Sequence, residues 1–265
     1  MTFLLSLAIL GLVSGFIAGL LGVGGGLVMV PVLVVLFAQQ GFDPAWHMHL
    51  ALGTSLAVIV LTSVASLRAH HAHGAVRWDT VRRIAPGIVL GTLLGAFAAR
   101  HLSDFGLRLF FVAFLFYAAT QMALELKPKA QRELPGWPGM TAAGTVIGAV
   151  SAWVGIGGGT LSVPFQLWCN VKLHEAIGTS AAIGFPIAVA GAIGYGLSGY
   201  DAPDLPAYSL GFVYLPALAG IAAASWLTAP LGARMAHRLP VKRLKRIFAL
   251  LLYALGVRMA WSLLQ

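Results

Sequence analysis

The amino-acid sequence predicts an all-α fold: a polytopic transmembrane helical bundle of two inverted-topology repeats, each carrying a glycine-broken, re-entrant helix. Three observations predict it. Apolar residues make up 59% of the 265-residue chain and charged residues only 9%, against about 25% charged in an ordinary soluble domain, and the mean hydropathy is +0.87. Long apolar runs alternate with short polar loops. Two glycine-containing motifs recur in the same order in each half. A soluble core of this size could not hide so much apolar surface, whereas a bilayer accepts it.

In chain order the apolar runs cover residues 2–22, 27–37, 50–67, 84–99 and 107–124, then 140–154, 161–168, 177–197, 208–231 and 247–264. A polar, proline-containing stretch at 127–138 separates the two sets. A spanning helix needs about 20 residues. The runs 27–37 and 161–168 are too short; each follows a glycine cluster and contains a proline, Pro31 or Pro164, so each is expected to be half of a broken helix. The first run has neither a basic region before it nor an Ala-x-Ala site after it, and no cleavable signal is expected. Cys169 is the sole cysteine, which excludes an intrachain disulfide and a multi-cysteine metal site. The net charge of +9 sits in short loops between apolar runs. That pattern orients a membrane protein and does not call for nucleic acid.

The repeat is explicit. Gly22-Val23-Gly24-Gly25-Gly26 with Pro31 matches Gly155-Ile156-Gly157-Gly158-Gly159 with Pro164 at an offset of 133. Gly53-Thr54-Ser55 matches Gly178-Thr179-Ser180 at an offset of 125. The chain therefore divides into a first repeat (1–126), a linker (127–138) and a second repeat (139–265), an organisation common in secondary transporters. Loop charge sets the relation of the halves. The 68–83 loop carries Arg68, Arg77, Arg82 and Arg83, and the 234–246 loop carries Arg234, Arg238, Lys242, Arg243, Lys245 and Arg246, which places both in the cytoplasm. The loop with Asp201 and Asp204 has no basic residue and is expected outside. The 68–83 loop and the Asp201 loop occupy equivalent repeat positions, so opposite sides require inversion. Both termini then lie outside and the linker inside. The 100–108 loop, with Arg100 and Arg108, opposes this, being basic where an outer loop is required.

The motif G-x-G-G-G-x4-P followed by G-T-S, present twice, resembles the TauE/SafE family of sulfite exporters and related permeases. The resemblance covers nearly the whole chain. It implies transport of sulfite, thiosulfate, sulfoacetate and other small organosulfur anions across a bacterial inner membrane, with no cofactor.

Residue chemistry points the same way. Gly24, Gly25, Gly26 and Gly157, Gly158, Gly159 are free to adopt positive φ and let other backbone approach. Unwound backbone at membrane depth is tolerated where protein or a water-filled cavity satisfies it. The half-helix after each cluster presents free N–H groups and a partial positive charge to an anion. Thr54, Ser55, Thr179 and Ser180 are expected as N-caps and hydroxyl donors at the start of a further helix, close to the anion; plain backbone capping is the alternative. Gln166 and Thr160 are polar where their repeat partners Leu33 and Leu27 are apolar, which makes them further binding candidates; Ser162 likewise replaces Met29. An interhelical hydrogen bond is the plain alternative for Gln166. Gly11, Gly15, Gly19, Gly87, Gly91 and Gly95 are expected only to bring helices close. Trp153, directly before the second break, is expected either to wall a cavity or to pack. His70, His71 and His73 are expected in a solvated loop and not at a metal.

No carboxylate interrupts an apolar run, which disfavours a cation pathway and a buried acidic proton relay. No buried arginine is expected either, so an anion is held by dipoles and hydroxyls. The coupling ion, H+ or Na+, is not encoded in any motif. An anion channel, or a carrier of another small anion such as a carboxylate, is the alternative; an intramembrane enzyme would need a nucleophile or metal set that the apolar runs lack.

Overall fold

A computed structural model describes residues 2–21, 25–124, 132–236 and 241–264. Among the described residues the chain forms ten α-helices: α1 (Thr2–Leu21), α2 (Gly26–Gln39), α3 (His47–Ala72), α4 (Trp78–Ala99), α5 (Asp104–Ala123), α6 (Trp137–Val154), α7 (Gly159–Trp168), α8 (Leu173–Ser198), α9 (Leu215–Ala236) and α10 (Val241–Trp261). A 3-10 turn, Pro44–Trp46, leads into α3, and a two-stranded hairpin, β1 (Ser209–Leu210) and β2 (Val213–Tyr214), leads into α9. Asp43 caps the turn by accepting from Ala45 N at 2.8 Å, and Ser103 caps α5 by accepting from Gly106 N at 3.1 Å. Among the described residues six helices are long and apolar enough to cross a membrane, and α2 is apolar but shorter. Large apolar side chains such as Leu5, Leu94, Val146, Leu227 and Leu250 are more than half exposed, as a lipid-facing surface requires.

The two 26-residue helices α3 and α8 form the centre. They run antiparallel, with Gly53 against Tyr195 and Leu56 against Gly191. Outside them, α1 packs parallel to α9 and α4 parallel to α6. Glycine makes both parallel contacts possible. A Cβ at Gly11 would lie 2.6 Å from the Ile221 carbonyl oxygen and one at Gly15 2.5 Å from the Ser225 Cα. Gly87, Gly91 and Gly95 face Thr141, Thr145 and Ala149 in the same way. Without a hydrophobic force between helices in lipid, this close approach supplies the packing energy. Hydroxyls add to it: Ser225 Oγ donates to Gly11 O at 3.0 Å and Thr228 Oγ1 to Leu12 O at 2.8 Å. The fifth helices pair across the bundle, where Thr120 Oγ1 lies 2.7 Å from the Tyr253 hydroxyl. Swapping the halves turns the α1–α9 pair into the α6–α4 pair and returns the α3–α8 and α5–α10 pairs to themselves.

Two sequence expectations are corrected. The run 208–231 is not helical from its start, because Gly211 turns the hairpin in the left-handed region (φ 54°) and the helix begins at Leu215. Thr54-Ser55 and Thr179-Ser180 are not N-caps, because α3 begins at His47 and α8 at Leu173. Both motifs therefore lie inside helices that extend beyond their apolar runs through polar first turns.

Candidate functional site

The second helix interruption starts at Gly155, which ends α6 in the left-handed region (φ 65°) with Ile156 N donating to Ser151 O at 3.2 Å. The chain turns through Gly157 and Gly158, and α7 opens at Gly159. It then returns toward the end at which α6 began, where Arg132 N donates to Trp168 O and the Arg132 guanidinium stacks 5.1 Å over the Trp168 ring. In the first half Gly25 takes the left-handed conformation (φ 73°) and caps α2, with Val28 N and Met29 N donating to its carbonyl at 3.1 Å. Gly24, with Gly22 and Val23, lies outside the described residues. Positive φ is thus needed at Gly25 as expected, but in the second half the strained position is Gly155; Gly158 is right-handed (φ −54°).

The start of α2 touches the end of α6. Gly26 sits against the Gly155 carbonyl, leaving no room for a Cβ, and Ser55 Oγ donates to that same carbonyl at 2.8 Å. An otherwise orphaned helix-terminal carbonyl is thereby satisfied by the opposite half. The G-T-S motifs perform a second, reciprocal task. Thr54 Oγ1 accepts from Tyr214 N at 3.0 Å, and Thr179 Oγ1 accepts from Arg77 N at 3.0 Å. Each threonine is fully buried and takes the backbone N–H of the residue leading into the other half's fourth helix. Gly53 and Gly178 provide the space, for they lie against the carbonyls of Phe212 and Ala75. The partners of these threonines were not legible in the sequence, since they are main-chain groups of loops far along the chain.

The remaining polar groups gather on α7 and α8. Ser162 Oγ contacts Gly158 O at 2.7 Å and pairs with Ser180 Oγ. Gln166 is wholly buried, with Nε2 donating to Ser162 O at 3.2 Å and Ala176 O at 3.3 Å. Both partners are carbonyls, so the amide nitrogen must face them and Oε1 is left as an acceptor. Gln166 Oε1 and Thr160 Oγ1 have no partner among the described residues. Buried polar atoms are normally satisfied, so such orphans mark places where water or ligand belongs. The structure thus joins Gln166, Ser162 and Ser180 between α7 and α8, with Gly157–Gly159 and Thr160 at the head of α7. It brings Gly25, Gly26 and Ser55 to the contact between halves, and holds Thr54 and Thr179 in main-chain bonds.

Charge lies at the two ends of the bundle. At one end Arg100 pairs with Asp201 and donates to Ser198 O at 2.8 Å, and the guanidinium holds the Asp201 carboxyl below the usual carboxylate range. Arg108 Nε lies 2.6 Å from Asp104 Oδ2 with both side chains mostly buried, so the expectation of no buried arginine is corrected. The signal was the Asp104/Arg108 spacing of four residues in the first turn of a helix. At the other end Arg77 lies 3.5 Å from Glu175. Burial pushes the Cys169 thiol upward, with Arg132 opposing the shift. Trp153 packs edge-on against Phe110 and donates to Gly95 O at 2.8 Å. His71 Nδ1 accepts from Trp78 Nε1 at 3.2 Å, and no group of three metal-ligating side chains occurs among the described residues.

The family described as sulfite exporter TauE/SafE matches residues 7–259. The chain belongs to the TauE/SafE sulfite exporter family. It is 39% identical to a probable membrane transporter protein of Haemophilus influenzae, over 97% of this chain and 98% of that protein. It is 25% identical to the probable membrane transporter protein YunE of Bacillus subtilis, over 97% of each chain. The probable membrane transporter protein MJ0441 of Methanocaldococcus jannaschii is also 25% identical, over 96% of this chain and 94% of its own. No solved structure matches the chain. This TauE/SafE member is a membrane transporter and, with six apolar helices of spanning length among the described residues, a multi-pass integral membrane protein.

Proposed function

We propose that this family member is a secondary transporter of small sulfur oxyanions, of the sulfite, thiosulfate or sulfonate class, working by alternating access in a bacterial inner membrane. The anion binds where the two helix interruptions meet, at the N-terminus of α7. The observation that carries the reading is the buried, unpartnered hydroxyl of Thr160 in the first turn of this ten-residue helix, a free donor of the kind a bound oxyanion needs. It lies beside the main-chain N–H groups of Gly158 and Gly159, with the Ser162–Ser180 hydroxyl pair two residues further along α7, a set of neutral donors with no carboxylate to repel an anion. The first half offers Leu27, Met29 and Leu33 at the matching positions, so specificity resides in the second half.

The two repeats, 1–126 and 139–265, are inverted relative to each other and joined by a cytoplasmic linker. Supporting this, α3 and α8 run antiparallel and the outer helix pairs interchange when the halves are swapped. The basic 100–108 loop no longer opposes an outer location, because Arg100 and Arg108 are neutralised by Asp201 and Asp104. Transport rocks one half against the other about the Gly26–Gly155 contact, with Thr54 and Thr179 as positioning residues that latch opposite ends.

The test is counterflow in proteoliposomes loaded with sulfite, thiosulfate, sulfoacetate, taurine, sulfate or a short carboxylate. Saturable exchange of a sulfur oxyanion that is lost in Thr160→Val and Ser180→Ala, both still folded, is expected. Exchange of carboxylates alone, or undiminished exchange in both variants, refutes the proposal. Repeating the assay under imposed pH and sodium gradients identifies the coupling ion.

A further inference from the structure

A cavity of about 470 Å³ opens at the end of the bundle where α3 and α5 begin. It lies in the volume range of small-ligand sites, and neither interruption contributes to its walls. Val34, Val35 and Ala38 of α2 form an apolar side, while His47, Arg108 and Ser262 form a polar one. The local chemistry fixes the state of each polar group. His47 Nε2 lies 2.9 Å from the Phe42 carbonyl, an acceptor, so Nε2 carries the hydrogen and Nδ1 is a lone-pair acceptor. That lone pair faces Arg108 Nη2 at 3.4 Å, a long contact. The Asp104 carboxylate accepts from Met48 N on Oδ1 at 2.7 Å and forms an ion pair with Arg108, whose Nε lies 2.6 Å from Oδ2.

The guanidinium is therefore held by its inner edge. Arg108 lines the cavity, and apart from the long Nη2 contact to His47 its Nη atoms have no hydrogen-bond partner among the described residues. A planar two-donor edge is the geometry that grips an oxyanion. Beside it lies a valine and alanine wall, which favours a hydrocarbon attached to that oxyanion. The cavity lies at the ends of two candidate spans, where lipid headgroups are expected.

We propose that this cavity binds an anionic amphiphile, whose phosphate or sulfonate head rests on Arg108 and whose chain lies along Val34, Val35 and Ala38. The site is separate from the transport site and does not depend on its assignment. The ligand comes either from the bilayer, as an anionic phospholipid, or from solution, as an alkyl sulfonate.

The test uses the full-length protein purified in dodecyl maltoside, with the thermal midpoint followed during titration. The probes are dioleoyl phosphatidylglycerol, dioleoyl phosphatidylcholine and octanesulfonate. Saturable stabilisation by phosphatidylglycerol or octanesulfonate, and none by phosphatidylcholine, is expected. Phosphatidylglycerol acting alone assigns the lipid source, and octanesulfonate acting alone the soluble one. Arg108→Gln should raise the half-saturating concentration at least tenfold. Ala38→Trp fills the apolar side without touching the Asp104–Arg108 pair and should do the same, so the result stands even if Arg108→Gln fails to fold. No stabilisation by either anion, an equal response to phosphatidylcholine, or an unchanged response in Ala38→Trp overturns the proposal.

Discussion

Replacing Thr54 by Val isolates the reciprocal threonine bonds. Valine matches threonine in shape, and the site is fully buried, so no cavity opens and the change reduces to one lost acceptor. The Tyr214 N–H, 3.0 Å from Thr54 Oγ1, is left inside the protein without a partner. Stranding a buried donor costs about 1–3 kcal/mol, which corresponds to a factor of about 5–150 in an equilibrium that depends on that contact. Thr179→Val strands the Arg77 N–H in the same way and should cost a similar amount. Thr→Ser at either position keeps the acceptor and should cost much less. The two sites share no partner, so the double Val variant should show the sum of the single effects. Thermal unfolding of purified protein in detergent measures all five variants against the parent. If Thr54→Val is neutral, or if Thr54→Ser is as damaging as Thr54→Val, the hydroxyl is not the acceptor that holds the connection into α9.

Three further outcomes follow from the geometry. Gly155→Ala places a side chain at φ 65° with Leu52 Cδ2 and Val30 Cγ2 only 3.0 Å from the new Cβ; a loss of about 1–2 kcal/mol from the left-handed backbone alone is expected in the same unfolding assay, whereas Gly41→Ala, at φ 72° in open space, lacks the crowding contribution. Gln166→Leu removes two buried hydrogen bonds, from Nε2 to Ser162 O and to Ala176 O, each worth about 0.5–1.5 kcal/mol, so the thermal midpoint should fall, and the stabilising effect of the proposed anion should be lost as well; retained anion response in that variant would remove Gln166 from the site. Arg100 lowers the Asp201 carboxyl below its ordinary value of 3.8. A depressed carboxylate contributes stability that is present above that value and is lost as pH falls below it. Asp201→Asn should therefore flatten the acid limb of a stability–pH profile, with no change in its shape above pH ~5.

The sequence by itself determined the class, the number of apolar elements and the places where they stop. Hydropathy is summed along the chain, so bilayer length is written locally, and the half-length runs at 27–37 and 161–168 emerged as α2 and α7. The packing glycines Gly11, Gly15, Gly87, Gly91 and Gly95 were legible for the same reason, since their four-residue spacing is a local property of one helix face. The tertiary structure alone decided what the repeated motifs touch. Thr54 and Thr179 looked like caps of their own helices, yet their oxygens serve N–H groups 160 and 102 residues away. Main-chain donors carry no side-chain signature, so no residue type at Tyr214 or Arg77 announced the bond. The pairing within the basic 100–108 loop was likewise not legible as a string of letters, because Asp201 neutralises Arg100 from another helix end. Charge counted along a loop is a sum over sequence; the field at its surface depends on distances that exist only once the helices have packed.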